Sequence, residues 1–151
     1  MFVIVVGCGR VGSELAFRLF QAGHQVAVID EVGKSFEALH PDYRGRTIEG
    51  EVLSEEVLKR SGIESADGLA AVTNSDSVNA VVGHVARTVY NVPNVVVRNY
   101  NPRWLPMHDA FGLQVVSSTG SPKRGKRPTS IRLRRTIHAP RSPSPASAAS
   151  R

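Results

Sequence analysis

Residues 2–19 read FVIVVGCGRVGSELAFRL, and the order of their parts decides the fold. The run opens on five apolar residues, four of them β-branched, a pattern expected for a strand buried on both faces. Gly7-Cys8-Gly9-Arg10-Val11-Gly12 follows as a full G-x-G-x-x-G. Val11, Leu15, Leu19 and Phe20 then fall on one helical face, and Gly23 stops that helix. A glycine loop between a strand and a helix is the context that phosphate binding needs. Gly7 allows the tight turn, Gly9 lets the backbone approach a pyrophosphate, and Gly12 lets the helix lie close on the strand. The helix start adds unpaired N–H groups and a partial positive charge.

Working outward, Val26–Ile29 predicts a second strand, and Asp30 ends it 18 residues after Gly12. A carboxylate there can accept hydrogen bonds from ribose hydroxyls. It would also repel a 2′-phosphate, which favours NAD or an adenine nucleotide over NADP. The plainer alternative is a helix-capping or solvent-facing Asp. Arg10, inside the loop, can reach phosphate oxygens in a charge-assisted pair, or pair with a nearby Glu on the surface. Cys8 is expected to pack as a small side chain.

Further along, residues 32–39 predict a short helix, Thr47–Ile48 a weak third strand, and Ser54 a cap for a helix over 55–60. Gly68–Thr73 reads as a fourth strand. Val78, Val81, Val82, Val85 and Val89 recur at helical spacing, so valines are expected to form that helix's packed face. Val95–Val97 and Leu113–Val116 predict two more strands, with a helical turn over 101–110 interrupted by Pro106. Strand and helix alternating at this rhythm imply βαβ units and parallel pairing. The expected fold is α/β: a Rossmann-like, doubly wound parallel sheet of about six strands in a three-layer sandwich, with a disordered C-terminal tail.

The bulk properties agree. The chain has 151 residues, 41% hydrophobic and 21% charged, room for one ordinary domain. Its single cysteine excludes an intramolecular disulfide framework. No apolar run approaches the roughly 20 residues that span a bilayer, and the N-terminus reads as a strand instead of a signal peptide. The net charge of +6 is unevenly placed. Residues 1–120 carry 10 Lys and Arg against 13 Asp and Glu, whereas residues 121–151 carry 9 basic residues, no acid and five of the nine prolines. A mildly acidic body therefore carries a basic Ser/Pro/Arg tail that is too apolar-poor to order itself. The division is a nucleotide-binding domain over 1–118 and the tail over 119–151. Nine cations can attract a phosphate surface, but the tail has no aromatics for base stacking, and nucleic acid is not an expected partner.

Whether the nucleotide is a reagent or a signal turns on what else the chain holds. Hydride transfer needs a substrate region and a proton donor or acceptor near the nicotinamide. His24, His40, His84, His108 and His138 form no triad-like or metal-like arrangement. His108 could face a cleft, but reads more simply as a polar loop residue. The nucleotide therefore looks like a ligand. A small or truncated NAD-dependent oxidoreductase is the alternative.

The body resembles the N-terminal (RCK, KTN or TrkA-N) domain of the Trk/Ktr potassium-uptake regulators. GCGRVGSELA at 7–16 and VIDEV at 28–32 match that family's nucleotide loop and second strand. Gly50-Glu51, the segment from Gly62-Ile63 through Ala66-Asp67 to Thr73, Asp76 with Asn79, and Arg98 match further family motifs in order. The resemblance covers about residues 1–118. It implies a cytoplasmic, non-enzymatic regulatory subunit, peripheral at the inner face of the plasma membrane. Such subunits assemble as dimers or rings on a membrane potassium transporter or channel subunit. They bind NAD(H), ATP or ADP as a regulatory ligand that gates ion flux. It implies that Gly7, Gly9 and Gly12 hold phosphates, Val11 belongs to the same nucleotide-binding loop, Arg10 meets the distal phosphate and Asp30 takes the adenosine ribose. Glu51 would lie near the adenine end, with Thr73 and Asn74 lining the cleft and Arg98 also binding the nucleotide; the plainer readings are a helix-start acid for Asp76 and polar packing for Asn79 and Arg98. The family usually continues into a second, ligand-sensing domain. The loss of pattern after Gly120 is accordingly read as a frameshifted or truncated end.

Overall fold

The computed structural model describes residues 1–117. The expected tail and its boundary at 118/119 lie outside the described residues. β1 (Phe2–Val6), α1 (Arg10–Gln21), β2 (Gln25–Asp30), β3 (Arg46–Glu49), α2 (Glu55–Ser61), β4 (Gly68–Ala71), α3 (Asp76–Thr88), β5 (Asn94–Asn99), α4 (Leu105–Ala110) and β6 (Gln114–Ser117) follow one another along the chain. The six strands form one sheet in the order β3-β2-β1-β4-β5-β6, every neighbouring pair parallel. Strand order reverses between β1 and β4, and in such sheets ligands bind at that point, beyond the strands' C-terminal ends.

β1 is buried on both sides, as its apolar run requires. Val5 faces a layer formed by α1 and the 3-10 turn at Gly33–Ala38, with Ala16, Val26, Val28, Leu15, Phe36 and Leu39 around it. Ile4 and Val6 face the opposite layer, with Ile29, Val57, Leu58, Val82 and Ala86 from β2, α2 and α3. Two helical layers on a parallel sheet give the expected doubly wound, three-layer arrangement. The caps also match the sequence. Ser54 Oγ accepts from the Val57 N–H at 3.4 Å, and Gly62, at φ +89°, ends α2 in the left-handed region.

Four local expectations are refined or corrected. The expected short helix is present at Gly33–Ala38 and is of the 3-10 type, with no side-chain cap at its start. Pro106 does not interrupt a helix: it lies in the first turn of α4, where no intrahelical N–H is needed. The packed face of α3 is only partly the valine stripe. Val82 is fully buried and Val78 and Val85 pack against the core, but Val81 and Val89 are 41% and 62% exposed, and Asn79, Ala80, Gly83 and Ala86 share the inward positions. A Cβ on Gly83 would come within 2.6 Å of Val97 Cγ1, so α3 lies too close to β5 for a broad valine face.

The fourth correction is His108. It lies in α4, not in a loop, and is fully buried, its Nε2 3.2 Å from Asn99 Oδ1. Burial pushes this imidazole below its ordinary value of 6.5, against a smaller opposing pull from the Asp76 carboxylate. The unfolded chain therefore takes up its proton at a higher pH than the folded one. The contribution of this histidine to stability is fully present above about pH 6.5 and is lost as pH falls from there toward the lower folded value. Urea unfolding should show a lower midpoint at pH 5.5 than at pH 7.5; equal midpoints would contradict the buried neutral histidine.

Candidate functional site

The glycine loop is built by three different demands. Gly7 has φ +101°, and a Cβ there would press on the Thr73 backbone at 3.0–3.1 Å. Gly12 is buried in the first turn of α1, and a Cβ would lie 1.8 Å from the Gly7 carbonyl oxygen. Gly9, the N-cap, has an ordinary φ of −84°, and its Cβ would meet nothing within 4 Å. No side chain caps α1, and its first closing bond runs from the Ser13 N–H to the Gly9 carbonyl at 2.9 Å. The N–H groups of Arg10, Val11 and Gly12 thus precede the first turn's hydrogen bonds and sit at the positive end of the helix dipole.

Asp30 faces this loop across the ends of β1 and β2. Its Oδ2 accepts the Cys8 N–H at 2.7 Å, and its Oδ1 accepts the Val32 N–H at 2.8 Å. Each carboxylate oxygen has two lone-pair sites, so acceptor capacity remains on both after these bonds. The same carboxylate therefore shapes the loop and faces the cleft. Cys8 is buried beneath it. Burial, and then the charge of Asp30, push the thiol up to about 11, so it stays protonated and packs as a small side chain.

A cleft of about 330 Å³ opens at this point, lined by Gly7, Gly9, Asp30, Glu31, Val32, Ser35, Val52, Val72, Thr73, Asn74, Ser75 and Val78. Its size lies at the lower end of small-ligand clefts. Five residues singled out from the sequence meet in its lining: Gly7, Gly9, Asp30, Thr73 and Asn74. Gly12 lies beneath the loop, and Arg10 and Val11 are exposed on the first turn of α1, outside the lining. Glu51 lies in an adjoining depression with Glu31, Glu49 and Gly50. Arg98 is outside the cleft, its guanidinium 4.1 Å over the ring of Tyr100. Asp76 and Asn79 are buried and bind backbone. Asp76 Oδ1 and Oδ2 accept the N–H groups of Tyr100 and Asn101 at 2.7 and 2.8 Å, which fixes the chain as it leaves β5.

Sequence reasoning missed Glu31, Val32, Ser35, Val52, Val72, Ser75 and Val78. Glu31 and Val32 follow Asp30 directly and could have been found from it. Val52 and Val78 carry no local signal of a cleft; Val52 reaches it from the loop after β3 and Val78 from the first turn of α3. The assembled site has free N–H donors on one side, two carboxylates on the other, and Val52, Val72 and Val78 as apolar wall. Among the described residues there is no cluster of His, Cys, Asp or Glu able to hold a metal, and no helix long and apolar enough to cross a membrane.

Comparison with known proteins agrees with this architecture. The TrkA-N domain pattern matches residues 3–119. The Trk system potassium uptake protein TrkA of Streptomyces coelicolor is 40% identical over 118 residues, which are 78% of this chain and 53% of that protein. The chain thus spans about half the length of this curated relative. Among solved structures, the TrkA-N domain of the Escherichia coli inner membrane protein ybaL superposes with a TM-score of 0.70 at 22% identity, covering 78% of this chain and 87% of that one. The GsuK channel bound to NAD superposes with a TM-score of 0.65 at 24% identity, covering 77% of this chain and 20% of that one; GsuK has also been solved bound to ADP. The glycine loop, the strand order and the span of the match agree: the chain belongs to the TrkA-N domain family.

Proposed function

We propose that this chain is the nucleotide-sensing domain, over residues 1–118, of a regulatory subunit of a potassium uptake system. It takes NAD(H), ATP or ADP in the cleft as a signal. It acts, as a dimer or ring, on a membrane potassium transporter or channel subunit at the cytoplasmic face. One observation carries the ligand reading: among the described residues, nothing requires a glycine at position 9. Its φ is ordinary and its missing Cβ leaves open space above an uncapped helix start. A phosphate group fits that space, met by the N–H groups of Arg10, Val11 and Gly12. Arg10, exposed beside them, takes the distal phosphate. Asp30 takes the ribose hydroxyls on its remaining lone pairs, while Asp30 and Glu31 together disfavour a 2′-phosphate. Val52 and Val78 flank a flat ring. In this reading Glu51 belongs to the outer rim, and Arg98 acts only through β5.

The regulatory reading is supported by the relatives that bear the Trk name and by the chemistry of the cleft. The ionisable side chains in its lining are two carboxylates, Asp30 and Glu31. A dehydrogenase would need a group beside the nicotinamide that can donate or take a proton near neutral pH. A small NAD-dependent oxidoreductase is the second reading. It predicts steady NADH turnover, which the regulatory reading does not.

Titration calorimetry on the full chain should show binding of at least one of NADH, NAD, ATP and ADP, without NADH oxidation. Gly9→Ala should keep its unfolding midpoint and lose at least about tenfold in affinity, near 1.4 kcal/mol; unchanged affinity would remove the phosphate from this loop. In Asp30→Asn, one backbone N–H must face an amide NH₂. Affinity should fall by roughly 10- to 100-fold, as for a lost hydrogen bond to a charged group. Retained affinity would take the ribose off Asp30. Reconstituted with a Trk-type membrane subunit in liposomes, the chain should make potassium flux respond to the nucleotide it binds; flux indifferent to it would refute the gating role.

A further inference from the structure

Asn79 is fully buried, and its amide is saturated by four hydrogen bonds. Oδ1 accepts the Thr73 N–H at 2.9 Å and the Thr73 hydroxyl at 2.6 Å. Nδ2 donates to the Thr73 carbonyl at 3.1 Å and to the Arg98 carbonyl at 3.0 Å. Both lone pairs and both hydrogens are used, and only this orientation of the amide pairs every donor with an acceptor. The N–H, the hydroxyl and the carbonyl of Thr73 therefore all end on one side chain.

This clamp sits where the sheet stops. β4 ends at Ala71; Val72 still donates its N–H to the Val6 carbonyl of β1 at 2.9 Å, and Thr73 to Ser75 then leave the ladder, all four lining the cleft. Ser75 adds local bonds: its N–H donates to Thr73 Oγ1 at 3.2 Å, and its Oγ caps α3. The wall stands close to the glycine loop, since a Cβ on Gly7 would meet the Thr73 nitrogen at 3.0 Å. A shift of the wall would thus change the width of the cleft directly. Buried polar groups left without these partners would be costly, so the clamp holds the wall in one position.

We propose that Asn79 is the positioning residue of this cleft: a buried amide that takes the place of a strand neighbour, holds the Thr73–Ser75 wall against the glycine loop, and ties it to the end of β5. The inference rests on the nucleotide reading above. It also assigns the wall a chemical character. The donors of Thr73 are already committed to Asn79, so the nucleotide meets Thr73 by shape and not through a donated hydrogen bond.

The test uses the full chain, NADH and adenine nucleotides as probes, and a temperature far below unfolding. Asn79→Ala should bind the nucleotide at least tenfold more weakly while still folded. Val82→Ala, a cavity in the same helix away from the cleft, should lower the unfolding temperature and keep the dissociation constant within about twofold. Asn79→Asp places a carboxylate against two carbonyls. It should bind weakly at pH 8 and regain affinity toward pH 6, as the buried carboxyl takes up a proton and can donate again. A folded Asn79→Ala with wild-type affinity, or an Asn79→Asp whose affinity ignores pH, would overturn the proposal. If the wild type binds none of the nucleotides, the functional reading fails by itself, and amide exchange then judges the clamp. Asn79→Ala or Asn79→Asp should expose the Thr73 amide to exchange while Leu69 to Ala71 stay protected; unchanged Thr73 protection would overturn the clamp.

Discussion

A Cβ on Gly12 would lie 1.8 Å from the carbonyl oxygen of Gly7, so there is no room for even a methyl group between them. This contact sets α1 directly on the end of β1 and aims the uncapped start of that helix at the switch in strand order. Were α1 held farther off, its free N–H groups would no longer face the C-terminal end of the sheet. Asp30 secures the same corner from the other side. Its two oxygens hold the backbone on either side of it in space, at Cys8 and Val32. The loop is thus fixed by one steric contact and one carboxylate before any ligand arrives.

The far wall depends on polar groups at the start of α3. Asp76 and Asn79 lie one helical turn apart and point the same way, into the ends of β4 and β5. One binds the chain leaving β5, the other the chain leaving β4. Residues that have left a strand ladder still need partners for their N–H and C=O groups, and these two side chains supply them. Electrostatics then sorts the cleft. The positive end of α1 lies on one side, and the carboxylates of Asp30 and Glu31 lie on the other.

Much of this was legible in the chain itself. Phe2–Val6, the three loop glycines and Asp30 carry their meaning locally, because each is dictated by backbone conformation or by the two-sided burial of a parallel strand. The valines of α3 were misleading for a physical reason. Periodicity marks the apolar side of a helix but not its depth, and at position 83 α3 comes so near β5 that no side chain fits between them. His108 was misread because a histidine carries no sign of burial; its place follows from Asn99, brought opposite it by the pairing of β5 with β6. Pro106 ended up starting α4 because the preceding turn at Pro102–Trp104 delivers the chain there in helical register.

The sequence by itself determined the order of strands and helices, the conformation of the glycine loop and the identity of the acid at the end of β2. These follow from sterics and hydrogen bonding among residues near one another in the chain. Only the tertiary structure decided which side chains line the cleft with them. Val52, Thr73 and Val78 reach it because β1 takes β2 on one side and β4 on the other, a pairing made by contacts distant in sequence. It also decided that Asn79 and Asp76 would serve backbone instead of ligand. A buried polar side chain binds whatever unpaired groups the folded sheet presents to it, and that is settled only when the strands have come together.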